Sequence, residues 1–303
     1  MRITFRSLYV FAAVLAFVGT ASPTAESQAR VEPPANYLRA RGLKRIQQSD
    51  VRIAEFSRSD ATAIKLDLPP GAALTVHRDH VEQLGNGKGF VWSGSVDGAP
   101  FSTAIFVVEG NTVTGHVTRG DGTVYEIRTA EDGTHWTLEI DQTLFPNHDD
   151  AISPPRNAVN ASGAFGIQTP DVAYDDDGSL IDVLVLYTPS ARTAAGGTTP
   201  IQQLIQLGIT ETNQGYANSG VIHRVRLVNA QEISYLESTA GITTDLTRLR
   251  TPGDGFLDQA QTLRDTYGAD LVSLWVDAAD NTCGIGYELN DPTLPASLWA
   301  PYG

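Results

Sequence analysis

The sequence predicts an α+β protein, with an antiparallel β-rich first half and an α/β second half. Three observations carry this. Between residues 64 and 140, short alternating apolar runs are separated at regular spacing by glycine turns. From 145 to 179 the periodicity is lost, and prolines and acidic residues take over. After residue 180, near-continuous apolar runs of strand length alternate with apolar residues at helical spacing. At 303 residues, 41% hydrophobic and 18% charged, the chain can bury a sizeable core and is long for one average domain.

At the start, Arg2 and Arg6 precede an apolar run over 8–18, followed by the small residues Gly19, Thr20 and Ala21. This order of charge, apolar core and cleavage site is that of a secretory signal, assigned to residues 1–25 with removal at or near Ala21. The run is about half the ~20 residues a bilayer span needs, so the chain is expected to be secreted, extracellular or periplasmic, with no membrane association after signal removal.

Residues 26–60 are Arg-rich and polar with Pro33-Pro34, and they read as a loosely structured lead-in. A β-rich domain follows over 61–146. Its expected strands lie at 74–76, 89–96, 102–108, 112–118, 123–128 and 134–140, with Gly-, Asn- and Asp-containing turns between them that tolerate positive φ. Residues 147–179, with Pro154-Pro155, Pro170 and the acidic run Asp175, Asp176 and Asp177, read as an exposed linker.

The second domain is expected over 180–303. The run I-D-V-L-V-L-Y at 181–187 predicts a strand covered on both faces. Apolar spacing predicts helices over 200–218 and 255–267, and strands over 221–235 and 271–276. Strand, helix, strand, helix, strand implies a sheet with parallel neighbours.

The net charge of −14 excludes nucleic acid as a partner, because a chain this acidic is repelled by phosphate backbones. From residue 151 onward there are 7 basic and 17 acidic side chains, against 14 and 18 before it. A more basic β domain ahead of a strongly acidic α/β domain fits a pro-segment clamped on an enzyme; it also fits two domains that merely differ in charge.

Few residues promise chemistry. Of six histidines, only His77 and His80 are close, in V-H-R-D-H; the context suggests a strand end or loop, and no third ligand is evident. His223 reads as a lone structural residue in a strand. There is no G-x-S-x-G elbow, Cys283 has no nearby His to lower its pKa, and the glycines at 85–89 read as a hairpin turn. The acidic cluster at 175–177 lacks the spacing of an EF-hand. A lone cysteine in an exported protein is either free or separated from its partner.

The pieces I-D-V-L-V-L-Y-T-P-S-A-R (181–192), Y-G-A-D-L-V-S-L-W-V (267–276) and C-G-I-G-Y (283–287), in this order, resemble the start of reprolysin-like (adamalysin-like) zinc metallopeptidases of the metzincin clan, with the bacterial peptidyl-Asp metalloendopeptidase group nearest. The segment 91–117, with Y-E-I-R at 125–128 and L-F-P at 144–146, is similar to the β-rich propeptide of such enzymes.

The resemblance implies a β-rich propeptide domain followed by the N-terminal part of a metzincin-like α/β catalytic domain. It implies a zinc cofactor for the complete enzyme, held by an H-E-x-x-H helix that is absent from this sequence. The chain is therefore expected to end before that helix, to hold no catalytic or metal-ligating residue, and to bind no zinc itself. It further implies that Cys283 pairs with a later cysteine, and that Gly284, Ile285, Gly286 and Tyr287 form the edge strand that binds a protein or peptide substrate by strand addition, with Ile285 and Tyr287 flanking the cleft. The implied function is a secreted zymogen of a zinc-dependent metalloendopeptidase, with its own propeptide as a partner. The alternative is a truncated protein or pseudo-protease serving as a secreted binding or inhibitory module.

Overall fold

A computed structural model describes residues 32–58, 61–69, 71–85, 87–145, 180–277 and 282–288. The expected signal at 1–25, the expected linker at 147–179 with its acidic cluster, and His148 lie outside these. The first half is one eight-stranded antiparallel sheet, in the order β1 (Leu43–Ser49), β8 (His135–Ile140), β7 (Val124–Thr129), β6 (Thr112–Thr118), β5 (Thr103–Glu109), β4 (Gly89–Val96), β3 (Ala72–Gln83), β2 (Ala63–Leu68). Its ends curl toward each other, and Gln47 Nε2 on β1 donates to the Asp67 carbonyl on β2 at 3.4 Å.

A short helix α1 (Ile53–Ser57) seats Phe56 in the concave face. Phe56 packs edge-on against Trp92 and Phe106, at 5.8 and 5.0 Å between ring centroids. Edge-to-face pairing of this kind suits aromatic quadrupoles and fills the curl with large apolar area.

The sequence reading of 26–60 as a loose lead-in is corrected by two elements. Residues 43–49 form β1, paired with β8 from Leu43↔Ile140 to Ser49↔His135, and 53–57 form α1. Only Leu43 and Ile46 are apolar in β1, so this edge strand is ordered by pairing with residues about ninety positions away and has no local signature. The strand expected at 74–76 is likewise longer. β3 runs through His77 and His80, with a bulge between Arg78 and His80, and its exposed polar side chains hide its strand character.

In the second half, β9 (Leu180–Tyr187) lies between β10 (Arg224–Glu232) and β11 (Leu271–Trp275), parallel to both. The expected parallel sheet is present. Alternation along β9 splits its side chains. Val183, Val185 and Tyr187 meet α2 (Pro189–Ala195) and α3 (Thr198–Asn218) on one face, while Leu184 and Leu186 join the cluster that includes residues of α4 (Ile242–Arg250) and α5 (Gln259–Tyr267) on the other. Helix α2 was not expected, although Thr188 caps it by accepting the Ala191 N–H at 3.0 Å, Pro189 opens it and Gly196 ends it at φ 97°.

The described residues from 33 onward fall in one compact unit. Helix α3 joins its two sheets. Ile201 and Ile205 face β9, and Leu207 enters the convex face of β4 and β5 against Val91, Ile105 and Val107.

Candidate functional site

The segment that the sequence singles out lies in a cleft of about 780 Å³ around the outer edge of β11. Alanines of α2, Leu204 of α3, Asp245 and Leu249 of α4, and residues 271–277 and 282–287 line it. Among the described residues β11 pairs only with β9, so it is the outer strand of its sheet.

Gly284, Ile285, Gly286 and Tyr287 all line this cleft, as does Cys283. Ile285 and Tyr287 are half-buried, whereas Gly284 and Gly286 are exposed. The segment is not a regular strand as expected; only Tyr287 makes a single β-bridge. The two glycines have open space around them, so no neighbouring surface favours an extended pleat. Thr282 Oγ1 donates to the Gly284 carbonyl at 2.8 Å, and the Arg250 guanidinium stands 5.8 Å from the centre of the Tyr287 ring. Cys283 is exposed and its thiol is free.

Two carboxylates that the sequence reading passed over shape the cleft region. Asp245, 1% exposed, accepts at Oδ1 from the Tyr235 hydroxyl (2.5 Å) and the Ser238 N–H (2.8 Å), fixing the turn into α4; its Oδ2 has no hydrogen-bond partner among the described residues. Burial, reinforced by the bond to Asp245, pushes the Tyr235 phenol above its ordinary range. Glu237 accepts from the Thr188 hydroxyl and, at 2.9 Å, from the Asp277 N–H, tying the start of α2 to the end of β11. Neither contact has a sequence signal, because each joins residues that no motif links.

The N-terminal half reaches the same cleft. Asn36, Arg39, Ala40, Arg41 and Arg128 line it, and Asn36 Nδ2 donates to the Ala194 carbonyl of α2 at 2.7 Å. The strap at 36–41 therefore lines the same cleft as the C-G-I-G-Y segment.

The donor set does not fit zinc. Among the described residues no three His, Cys, Asp or Glu side chains converge. His77 and His80 are exposed within β3, rather than at a strand end or loop, and His77 Nε2 lies 3.5 Å from Asp97. His223 stands exposed just before β10, not within the strand as expected. His116 is engaged by carboxylates. Gly85 and Gly87 stand between β3 and β4, and Gly89 opens β4, as in the expected hairpin connection.

No family model matches the chain. It is 37% identical over 189 residues to the peptidyl-Asp metalloendopeptidase of Xanthomonas campestris pv. campestris, covering 61% of this chain and 43% of that protein. It is 33% identical over 231 residues to the protein of the same name from Stenotrophomonas maltophilia R551-3, covering 71% and 53%. Metalloproteinase-II from Bacteroides fragilis, a solved structure, superposes with a TM-score of 0.32 and 11% identity over 63% of this chain and 60% of that one, too distant to define a shared fold. The chain spans about half the length of the curated relatives it matches. Over up to 71% of its length, then, it is similar in sequence to bacterial metalloendopeptidases.

Proposed function

We propose that this chain is the front part of a secreted zinc metalloendopeptidase zymogen: a signal at 1–25, a β-rich pro-segment, and the first part of a catalytic domain that hydrolyses peptide bonds. The similarity to proteins named peptidyl-Asp metalloendopeptidase carries the reading, at 33–37% identity over as much as 71% of the chain. Two structural features support it. The segment 284–287 lines a cleft beside the outer strand of a parallel sheet, a place where an extended peptide can add by main-chain hydrogen bonds. The strap at 36–41 lines the same cleft, where a pro-segment would restrict access.

In this reading a zinc ion, which would supply the activated water, would be held by residues outside the described ones. The residues described position substrate only: β11 and 284–287 offer the edge, Glu237 fixes the end of β11, and the strap from the N-terminal half narrows the entrance.

The competing reading is a non-catalytic binding or inhibitory module, which the scattered histidines of the described residues fit equally well. Metal analysis and a peptidase assay on the product of the whole reading frame decide between them. One zinc per chain with chelator-sensitive cleavage is the expected result. A product without H-E-x-x-H, bound metal or cleavage supports the module instead.

A further inference from the structure

We propose that His116 is a proton-operated latch between the N-terminal sheet and α3, closed when its ring is protonated and loosened when the proton leaves. Its use in releasing the sheet rests on the pro-segment reading above; the latch itself rests on geometry.

His116 projects from the convex face of β6. Its Nδ1 lies 2.6 Å from Glu211 Oε1 on α3, and its Nε2 lies 3.8 Å from Glu126 Oε1 on β7. A neutral imidazole carries one N–H, so one of its nitrogens would face a carboxylate as acceptor against acceptor. The imidazolium carries two and suits both carboxylates. The ring is 24% exposed, enough to leave these contacts only partly screened.

The charged groups around the ring are Glu211 from α3, and Glu126 and Arg128 from β7; on β5 the residue in register is the uncharged Ile105. Glu126 is itself held by Arg128 at 2.5 Å. Burial pushes the ring's pKa down, as does Arg128. The hydrogen bond and charge of Glu211, with the charge of Glu126, outweigh them and leave it above the ordinary 6.5.

The neighbouring contacts of α3 with the sheet carry no titratable group. Thr114 Oγ1 donates to Gln203 Oε1 at 2.9 Å, Gln203 Nε2 donates to Thr112 Oγ1 at 2.9 Å, and Leu207 fills the patch of Val91, Ile105 and Val107. The latch therefore tunes a contact that apolar burial establishes. Because the closed state binds the proton more tightly, its added stability is complete below pH 6.5 and is lost as pH rises through the raised value. Within that window the opening constant climbs by up to about tenfold per pH unit.

The test uses the full chain. NMR titration of the His116 ring gives its midpoint, and hydrogen exchange of α3 amides, corrected for intrinsic rate, gives opening against pH. A midpoint above the ordinary 6.5 is expected, with α3 opening that rises across the window in the wild type and stays flat in His116→Gln. Should that variant not fold, Glu211→Gln keeps the imidazole and is expected to lower its midpoint. A midpoint at or below 6.5, or unchanged pH dependence in His116→Gln, overturns the latch. The pro-segment reading fails separately, if removing the N-terminal sheet from an active longer product leaves its peptidase rate unchanged.

Discussion

Gly94 and Gly115 serve the inner core by lacking a side chain. A Cβ on Gly115 would stand 2.4 Å from the Phe106 ring and 2.5 Å from the Ile105 carbonyl; one on Gly94 would meet the His77 carbonyl at 2.1 Å and the Trp92 ring at 2.7 Å. Backbone cannot retreat from such contacts cheaply, so Gly115→Ala is expected to cost about 1–3 kcal/mol in urea unfolding. Gly284→Ala, with open space around it, should leave the midpoint unchanged. Equal effects of the two substitutions would contradict the packing described. A glycine inside a strand pattern was readable as a site of close approach, but not which ring approaches it.

Tyr37, fully buried, donates to the Thr129 carbonyl at 2.9 Å, and burial pushes its phenol up to about 12. The folded chain keeps this proton where the unfolded chain has lost it. The stability it contributes is therefore present below pH 10 and declines as pH rises from 10 to about 12. Tyr37→Phe is expected to cost about 1 kcal/mol at pH 7 and to flatten that alkaline decline, as read from urea midpoints at about pH 7 and about pH 11. A steeper decline in the variant would rule this out.

At the scale of elements, α3 is the part on which both halves depend. Its expected extent, 200–218, nearly matches Thr198–Asn218, because Pro200 and Gly220 punctuate it locally. Which β strands its second face meets was not legible, since Gln203 and Leu207 find partners about ninety to a hundred and twenty positions earlier. One clue was available: β5, T-A-I-F-V-V-E, is apolar at every inner position, the pattern of a strand covered on both faces. The cleft was legible only as a segment. C-G-I-G-Y marked 283–287, while Asp245, Glu237 and the strap at 36–41 reach the region through tertiary packing alone. Leu207→Ala removes a side chain 1% exposed from the α3–β5 contact and is expected to destabilise the chain by about 2–5 kcal/mol. Thermal unfolding checks this, and a loss under about 0.5 kcal/mol would mean that α3 does not bear on the sheet as described.

For the whole molecule, the question is whether covalent continuity or packing joins the two sheets. The connecting stretch 146–179 is Pro-rich, polar and aperiodic in sequence, and limited proteolysis is expected to cut there first. The packed contacts decide whether the cleaved halves stay together. Leu207 is buried among Val91, Ile105 and Val107, Gln203 bonds Thr112 and Thr114, His116 meets Glu211, and Asn36 bonds Ala194, all without help from the connection. Separating the pieces would expose that apolar patch and strand the hydrogen-bonding groups of Gln203 and Thr114, both 2% exposed or less. After the cut, the two pieces should therefore elute as one species in native gel filtration at about pH 6 and come apart in denaturant. Co-elution at about pH 6 with partial separation at about pH 9 would further agree with the His116 latch. First cuts within 89–140, or pieces that separate at once at about pH 6, would show that the chain connection rather than the α3 interface joins the halves.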